Sequence, residues 1–204
     1  MFNFSLPSLN TTQTIIALVL IVWMIVESVW DLRDQNIPIF FSLVPLIAGA
    51  AYLWYTGQVA VAISIVLLVA STNLPPTARL ISVVILALIS FANIPPAYYP
   101  LLAGFLIVFA FFHLNIMGGA DALAAVYALV WFPYWSMLAA LMAGMLIAAI
   151  VIIAIKYRRN TAKHLIETIS KNQSGTRAPT LTGFLLGVFA FTVAAYWPFL
   201  SGIH

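Results

Sequence analysis

No cysteine occurs anywhere in the 204 residues. That absence removes disulfides, thiolate nucleophiles and cysteine-ligated zinc together. The three histidines, His113, His164 and His204, are too scattered to supply metal-ligand spacing, and no metal or other cofactor is expected. Charge is nearly as scarce. Only 6% of residues are Asp, Glu, Lys or Arg, against about a quarter in ordinary soluble domains, so most of this surface is read as facing lipid. A cleaved secretory leader does not account for the pattern, because Met1 to Gln13 lacks a basic region and apolar stretches recur to the last residues. The net charge of +3 is no sign of nucleic acid either, since the excess is concentrated in one segment between apolar runs, where a topogenic role explains it.

What is abundant is apolar sequence, at 64%. A spanning helix needs roughly 20 apolar residues, with about 17 as a floor. On that measure Thr12–Trp30, Ile39–Tyr55, Tyr99–Ile116, Trp135–Ile155 and Thr180–Leu200 read as spans, the last anchored by Tyr196 and Trp197. Val59–Ser71 and Leu80–Ala92 are shorter, and Asn73, Pro75, Pro76 and Arg79 separate them, so each is a short span or half of a re-entrant pair. Asp121–Trp131 is short unless its helix begins near Gly118. The expected fold is an all-α transmembrane bundle of about eight spans, six if 59–92 is re-entrant. It forms one membrane-embedded domain over residues 1–204.

Six of the eight basic residues, Lys156, Arg158, Arg159, Lys163, Lys171 and Arg177, lie in one polar segment, 156–178. The positive-inside rule places that segment in the cytoplasm. Alternating backwards puts Gly118–Asp121, Arg79 and Asp31–Pro38 on the same side, and the parity is unchanged if 59–92 dips in and returns. The chain is thus expected to be a multi-pass protein of the cytoplasmic membrane.

Only five acids are present, and ionisable groups at membrane depth are costly and usually functional. Glu167, four residues after Lys163, reads as half of a solvated helix pair. Asp34, beside Arg33 in a polar stretch read as loop, is a surface charge. Glu27 lies inside the first span, one helical turn before Asp31. Asp121 follows Gly118, Gly119 and Ala120 and precedes an apolar run. Taken singly, Asp31 is as well explained as the polar end of a span, and Asp121 as a helix cap. Together they share an expected face and depth. Two carboxylates held close can share one proton, one activating water while the other polarises a peptide carbonyl, because like charges at short range push their pKa values apart. Small residues before Asp121 let a substrate backbone approach closely.

The stretches WDLRDQNIP (Trp30–Pro38) and MGGADALAA (Met117–Ala125) resemble the two signature segments of the prepilin and preflagellin peptidases, intramembrane aspartic proteases of the GxGD type. In that family the first catalytic aspartate is followed by a polar, arginine-containing stretch ending in Ile-Pro, as Asp31 is here. The second is the aspartate of the GxGD motif, which matches Asp121. The likeness in span pattern runs from about Val22 to about Gly187. Ala120 stands at the second motif glycine, Ile39 where an asparagine often follows Ile-Pro, and Leu123 where many members carry lysine. The short connection after Pro38 and the lack of cysteine resemble the compact form without a methyltransferase activity.

The resemblance implies an aspartic endopeptidase that removes leaders from type IV pilin-like or archaellin-like precursors at the cytoplasmic face, with Asp31 and Asp121 catalytic. Gly118, Gly119 and Ala120 are expected to shape the substrate approach, and Glu27 either contacts substrate or bonds neighbouring helices. Such leaders are short and basic, and the acidic residues Glu27, Asp31, Asp34 and Asp121 would attract them. The expected partners are these precursors and the lipid bilayer. Two other readings use the same residues: a small proton- or cation-coupled transporter, in which Glu27, Asp31 and Asp121 are coupling groups, and an inactive peptidase-like scaffold of a pilus export machine.

Overall fold

Long apolar runs broken only by proline, glycine and short polar stretches leave the backbone one economical way to satisfy its hydrogen bonds, which is to coil each run on itself. The computed structural model describes residues 7, 9–34, 39–114, 117–159 and 180–200, with the side chains of 31–34, 39, 152, 153, 155–159, 180–182 and 196–200 left aside. Every regular element among them is helical. In chain order they are α1 (Thr11–Asp34), α2 (Ile39–Tyr55), α3 (Val59–Ser71), α4 (Pro76–Asn93), a single 3-10 turn (Pro96–Tyr98), α5 (Tyr99–His113), α6 (Gly119–Trp131), α7 (Trp135–Arg159) and α8 (Thr180–Leu200).

The boundaries follow local chemistry. Pro76 at the start of α4 loses nothing by lacking an N–H, because first-turn amides have no helical partner. That start lies four residues before the apolar run at Leu80. Between α2 and α3 the chain reverses at Gly57, whose φ of 83° is the left-handed conformation glycine adopts without penalty. α1 continues through Asp31 to Asp34 rather than giving way to loop, which corrects the reading of Asp34 as a loop residue. Neither Pro nor Gly occurs between Thr11 and Pro38. α7 likewise runs past its apolar stretch to Arg159, where cationic side chains suit a helix C-terminus.

α6 is the centre of the arrangement, and every residue from Leu123 to Val130 is buried. A helix apolar on all sides needs neighbours on all sides. It packs against α2 and α5 along its length and also touches α1, α7 and α8. α2, α3, α4 and α5 succeed one another as packed neighbours on one side, while α8 joins α1 to α7 on the other. The α7–α8 contact is the most extensive, and small residues permit it. A Cβ added at Gly144 would come within 2.1 Å of the Gly183 carbonyl oxygen, and one at Gly187 within 2.5 Å of the Ala140 oxygen. Backbones approach this closely only where side chains are absent, as in membrane helix pairs with small residues four apart.

The exterior is apolar. α4 buries only Val83, Ala87 and Ser90, while Leu80, Ile81, Val84, Ile85, Leu88 and Ile89 face outward. Several polar groups, among them Glu27, Ser42, Ser71, Ser90, Asp121 and Thr192, are buried instead. Among the described residues three stretches, Thr11–Trp30, Pro76–Asn93 and Pro96–His113, are long and apolar enough to cross a membrane. This is a surface suited to lipid.

Candidate functional site

Glu27 is wholly buried in α1. The Ser42 hydroxyl of α2 donates to its Oε1 at 2.8 Å, and the Tyr127 hydroxyl of α6 donates to Oε2 at 2.7 Å. One carboxylate thereby joins three helices, and both its oxygens are met. The Trp23 indole N–H is buried beside it without an acceptor at hydrogen-bond geometry, and its ring stacks on Phe41 of α2 at 4.4 Å. Glu27 was legible as an intramembrane acid. Ser42 and Tyr127 were not legible as its partners, since nothing in the sequence pairs positions 27, 42 and 127.

Asp121 occupies the third position of α6 and is buried. Gly118 is the capping residue, and its N–H donates to Asp121 Oδ2 at a long 3.3 Å. A carboxylate in the first turn of a helix is favoured by the unpaired amides and the positive end of the dipole. Gly118 has extended backbone at φ −74°, which any residue can adopt. Gly119 is roomy, with only the Phe112 ring, at 3.7 Å, near a hypothetical Cβ. Neither position therefore requires glycine for its backbone conformation, and Gly119 leaves open space.

Two contacts fix how α1 lies against α6. Gln13 Nε2 donates to the hydroxyl of Tyr134, just beyond the end of α6, at 3.2 Å, and Glu27 meets Tyr127. The helices are therefore antiparallel, and the end of α1 lies at the start of α6. With a rise of about 1.5 Å per residue, the Asp31 backbone is about 6 Å beyond the Glu27–Tyr127 level and Asp121 about 9 Å beyond it. The two positions thus agree in depth to within about 3 Å. The side chain of Asp31 lies outside the described residues, as do the Arg33–Pro38 side chains and the segment 160–179.

The opposite face of α6 borders a cavity of about 210 Å³. Gly119, Ala122, Leu123 and Val126 line it together with Leu43 of α2, Val69 of α3, and Phe105, Val108, Phe109 and Phe112 of α5. Thr72 and Asn73, just past α3, supply its polar wall. At 100° per residue, Asp121 stands roughly 150° around α6 from the middle of this lining. Gly119 belongs to the cavity side. Arg79 holds its guanidinium over the Phe112 ring, 5.3 Å from the centroid. Among the described residues no three His, Asp or Glu side chains come together as a metal site. No protein-family model, curated protein or solved structure matches the chain.

Proposed function

We propose that this protein is an intramembrane aspartic endopeptidase that cleaves leader peptides from type IV pilin-like or archaellin-like precursors at the cytoplasmic membrane face, with Asp31 and Asp121 as the catalytic pair. The observation that carries the reading is the antiparallel register of α1 and α6, locked by the Glu27–Tyr127 hydrogen bond, which brings the two aspartate positions to one end of the bundle at matching depth. On this reading the eight helices cross the membrane, α3 and α6 as short members, with Asp31, Arg79, Asp121 and the 156–178 segment on the cytoplasmic side. The buried first-turn environment of Asp121 also supports it. Of the three small residues before it, Gly118 is in contact with the carboxylate, while Gly119 faces the cavity on the other side of α6. The pair titrates as a unit, one proton shared, water activated by the ionised member and the scissile carbonyl polarised by the protonated one.

The test is incubation of the purified protein with pilin-like precursors encoded near its gene, following loss of the leader by mass. Asp31→Asn and Asp121→Asn should each abolish cleavage while leaving folding intact, and Asp34→Asn should leave it nearly unchanged. Substantial cleavage by either of the first two variants overturns the pair.

A further inference from the structure

The cavity behind α6 is not explained by peptide hydrolysis, because Asp121 stands on the other side of that helix and the lining is mostly apolar. Its volume, about 210 Å³, exceeds the roughly 150 Å³ apolar cavity that stays dry in water and accepts benzene. It is far too small for a substrate helix, about 10 Å across with its side chains. Its polar wall is confined to one end, at Thr72 and Asn73, where α3 finishes and where Phe112 and Gly119 also lie. Arg79 stands at that end. Its Nε donates to the Leu74 carbonyl at 3.2 Å, and among the described residues its two terminal nitrogens make no hydrogen bond. The site therefore combines an apolar slot, a polar rim, and a guanidinium over an aromatic ring, its terminal nitrogens bonding none of the described residues.

A basic leader peptide would be repelled by that cation. A phosphate would be attracted, since the planar guanidinium matches phosphate oxygens two at a time, and basic pockets between membrane helices at the cytoplasmic side take anionic headgroups. We propose that the cavity and Arg79 form a binding site for one anionic glycerophospholipid, with the end of an acyl chain against Phe105, Phe109, Ala122 and Val126 and the phosphate on Arg79 beside Asn73. The inference rests on the chain being in a membrane and does not depend on the peptidase reading.

The experiment is native mass spectrometry of the whole protein released from detergent in the presence of phosphatidylglycerol or phosphatidylcholine of identical acyl chains. Wild type should retain one phosphatidylglycerol in preference to phosphatidylcholine by about tenfold, because both lipids offer the phosphate but the choline cation of the second is repelled by Arg79. Arg79→Gln, a surface change, should erase that preference, and Ala122→Phe, which fills the slot, should lower retention of both lipids. Millimolar inorganic phosphate should not displace the lipid, because it lacks the chain. Equal retention of the two lipids by wild type, selectivity that survives Arg79→Gln, or displacement by phosphate alone overturns the proposal.

Discussion

Removing the hydroxyl of Tyr127 tests the contact on which the register of α1 and α6 depends. The bond to Glu27 Oε2 is 2.7 Å long, the ordinary length of a well-formed O–H···O bond. Hydrogen bonds between membrane helices average about 0.6 kcal/mol in double-mutant cycles and reach about 1.7 kcal/mol. Glu27 is fully buried and has two hydroxyl donors, so the Tyr127 bond should fall near the upper end, at about 1.5 kcal/mol. The cycle consists of Tyr127→Phe, Glu27→Leu and the double variant, each purified in the same detergent and unfolded by heat. A coupling of that size corresponds to an apparent Tm difference of roughly 3–6 °C for a chain of this length. If cleavage is established, Tyr127→Phe should also lower turnover by about ten- to a hundredfold, the cost of about 1 Å of misplacement between catalytic groups. A coupling below about 0.3 kcal/mol, the usual error of additivity, would show that Glu27 and Tyr127 do not fix the helices and would remove the basis for matching the depths of Asp31 and Asp121.

The α7–α8 crossing should be intolerant of a single methyl group: Gly144→Ala would set a Cβ within 2.1 Å of the Gly183 carbonyl oxygen, and forced separation should cost about 1–3 kcal/mol in thermal or denaturant unfolding. Gly119→Ala meets only the Phe112 ring at 3.7 Å, so its stability should stay within about 0.5 kcal/mol of wild type. A Tm fall comparable to that of Gly144→Ala would contradict the packing described. Because the chain has no cysteine, a single Ser170→Cys variant can report topology directly. It should react with a membrane-impermeant maleimide only after the cytoplasmic side is exposed, and labelling of intact cells would reverse the orientation.

The apolar runs delimited α2, α3 and α8 at the residues where the helices begin and end, because Pro, Gly and polar pairs sit at those boundaries. Less legible were the ends where helical backbone outlasts apolar sequence. α1 carries on through Leu32 and Arg33, and α7 through Tyr157 and Arg158, since hydropathy reports solvent and not backbone conformation. The close α7–α8 pair had a readable signal, glycines four apart at Gly183 and Gly187 facing Gly144, but small residues reveal a crossing only once the partner helix is known. The candidate site divides in the same way. Glu27 and Asp121 stand out because acids are rare here, whereas Ser42, Tyr127 and the cavity lining come from four different helices, and no periodicity along one helix encodes its register against another.

The length of α6 ties these features together. Thirteen residues make a helix of about 20 Å, against about 30 Å of hydrocarbon. If its C-terminal end, where the Trp131 indole N–H donates to the Pro45 carbonyl, stands at the level of the opposite membrane surface, its first turn begins about 10 Å below the near one. The unpaired amides of that turn then have no lipid partner and must be met by protein or by water. Asp121 meets one of them, through Gly118. Water that reaches this turn on the peptidase reading meets a buried carboxylate held by the helix dipole. Hydrolysis inside a membrane needs that coincidence of water and acid. A turn added ahead of Gly118 would leave Asp121 at its level but would pair the first-turn amides within the helix and close this end to water. On the peptidase reading the shortness of the central helix is therefore a requirement of the chemistry, and extending α6 by one turn ahead of Gly118 should abolish cleavage even though the helix itself would be more regular.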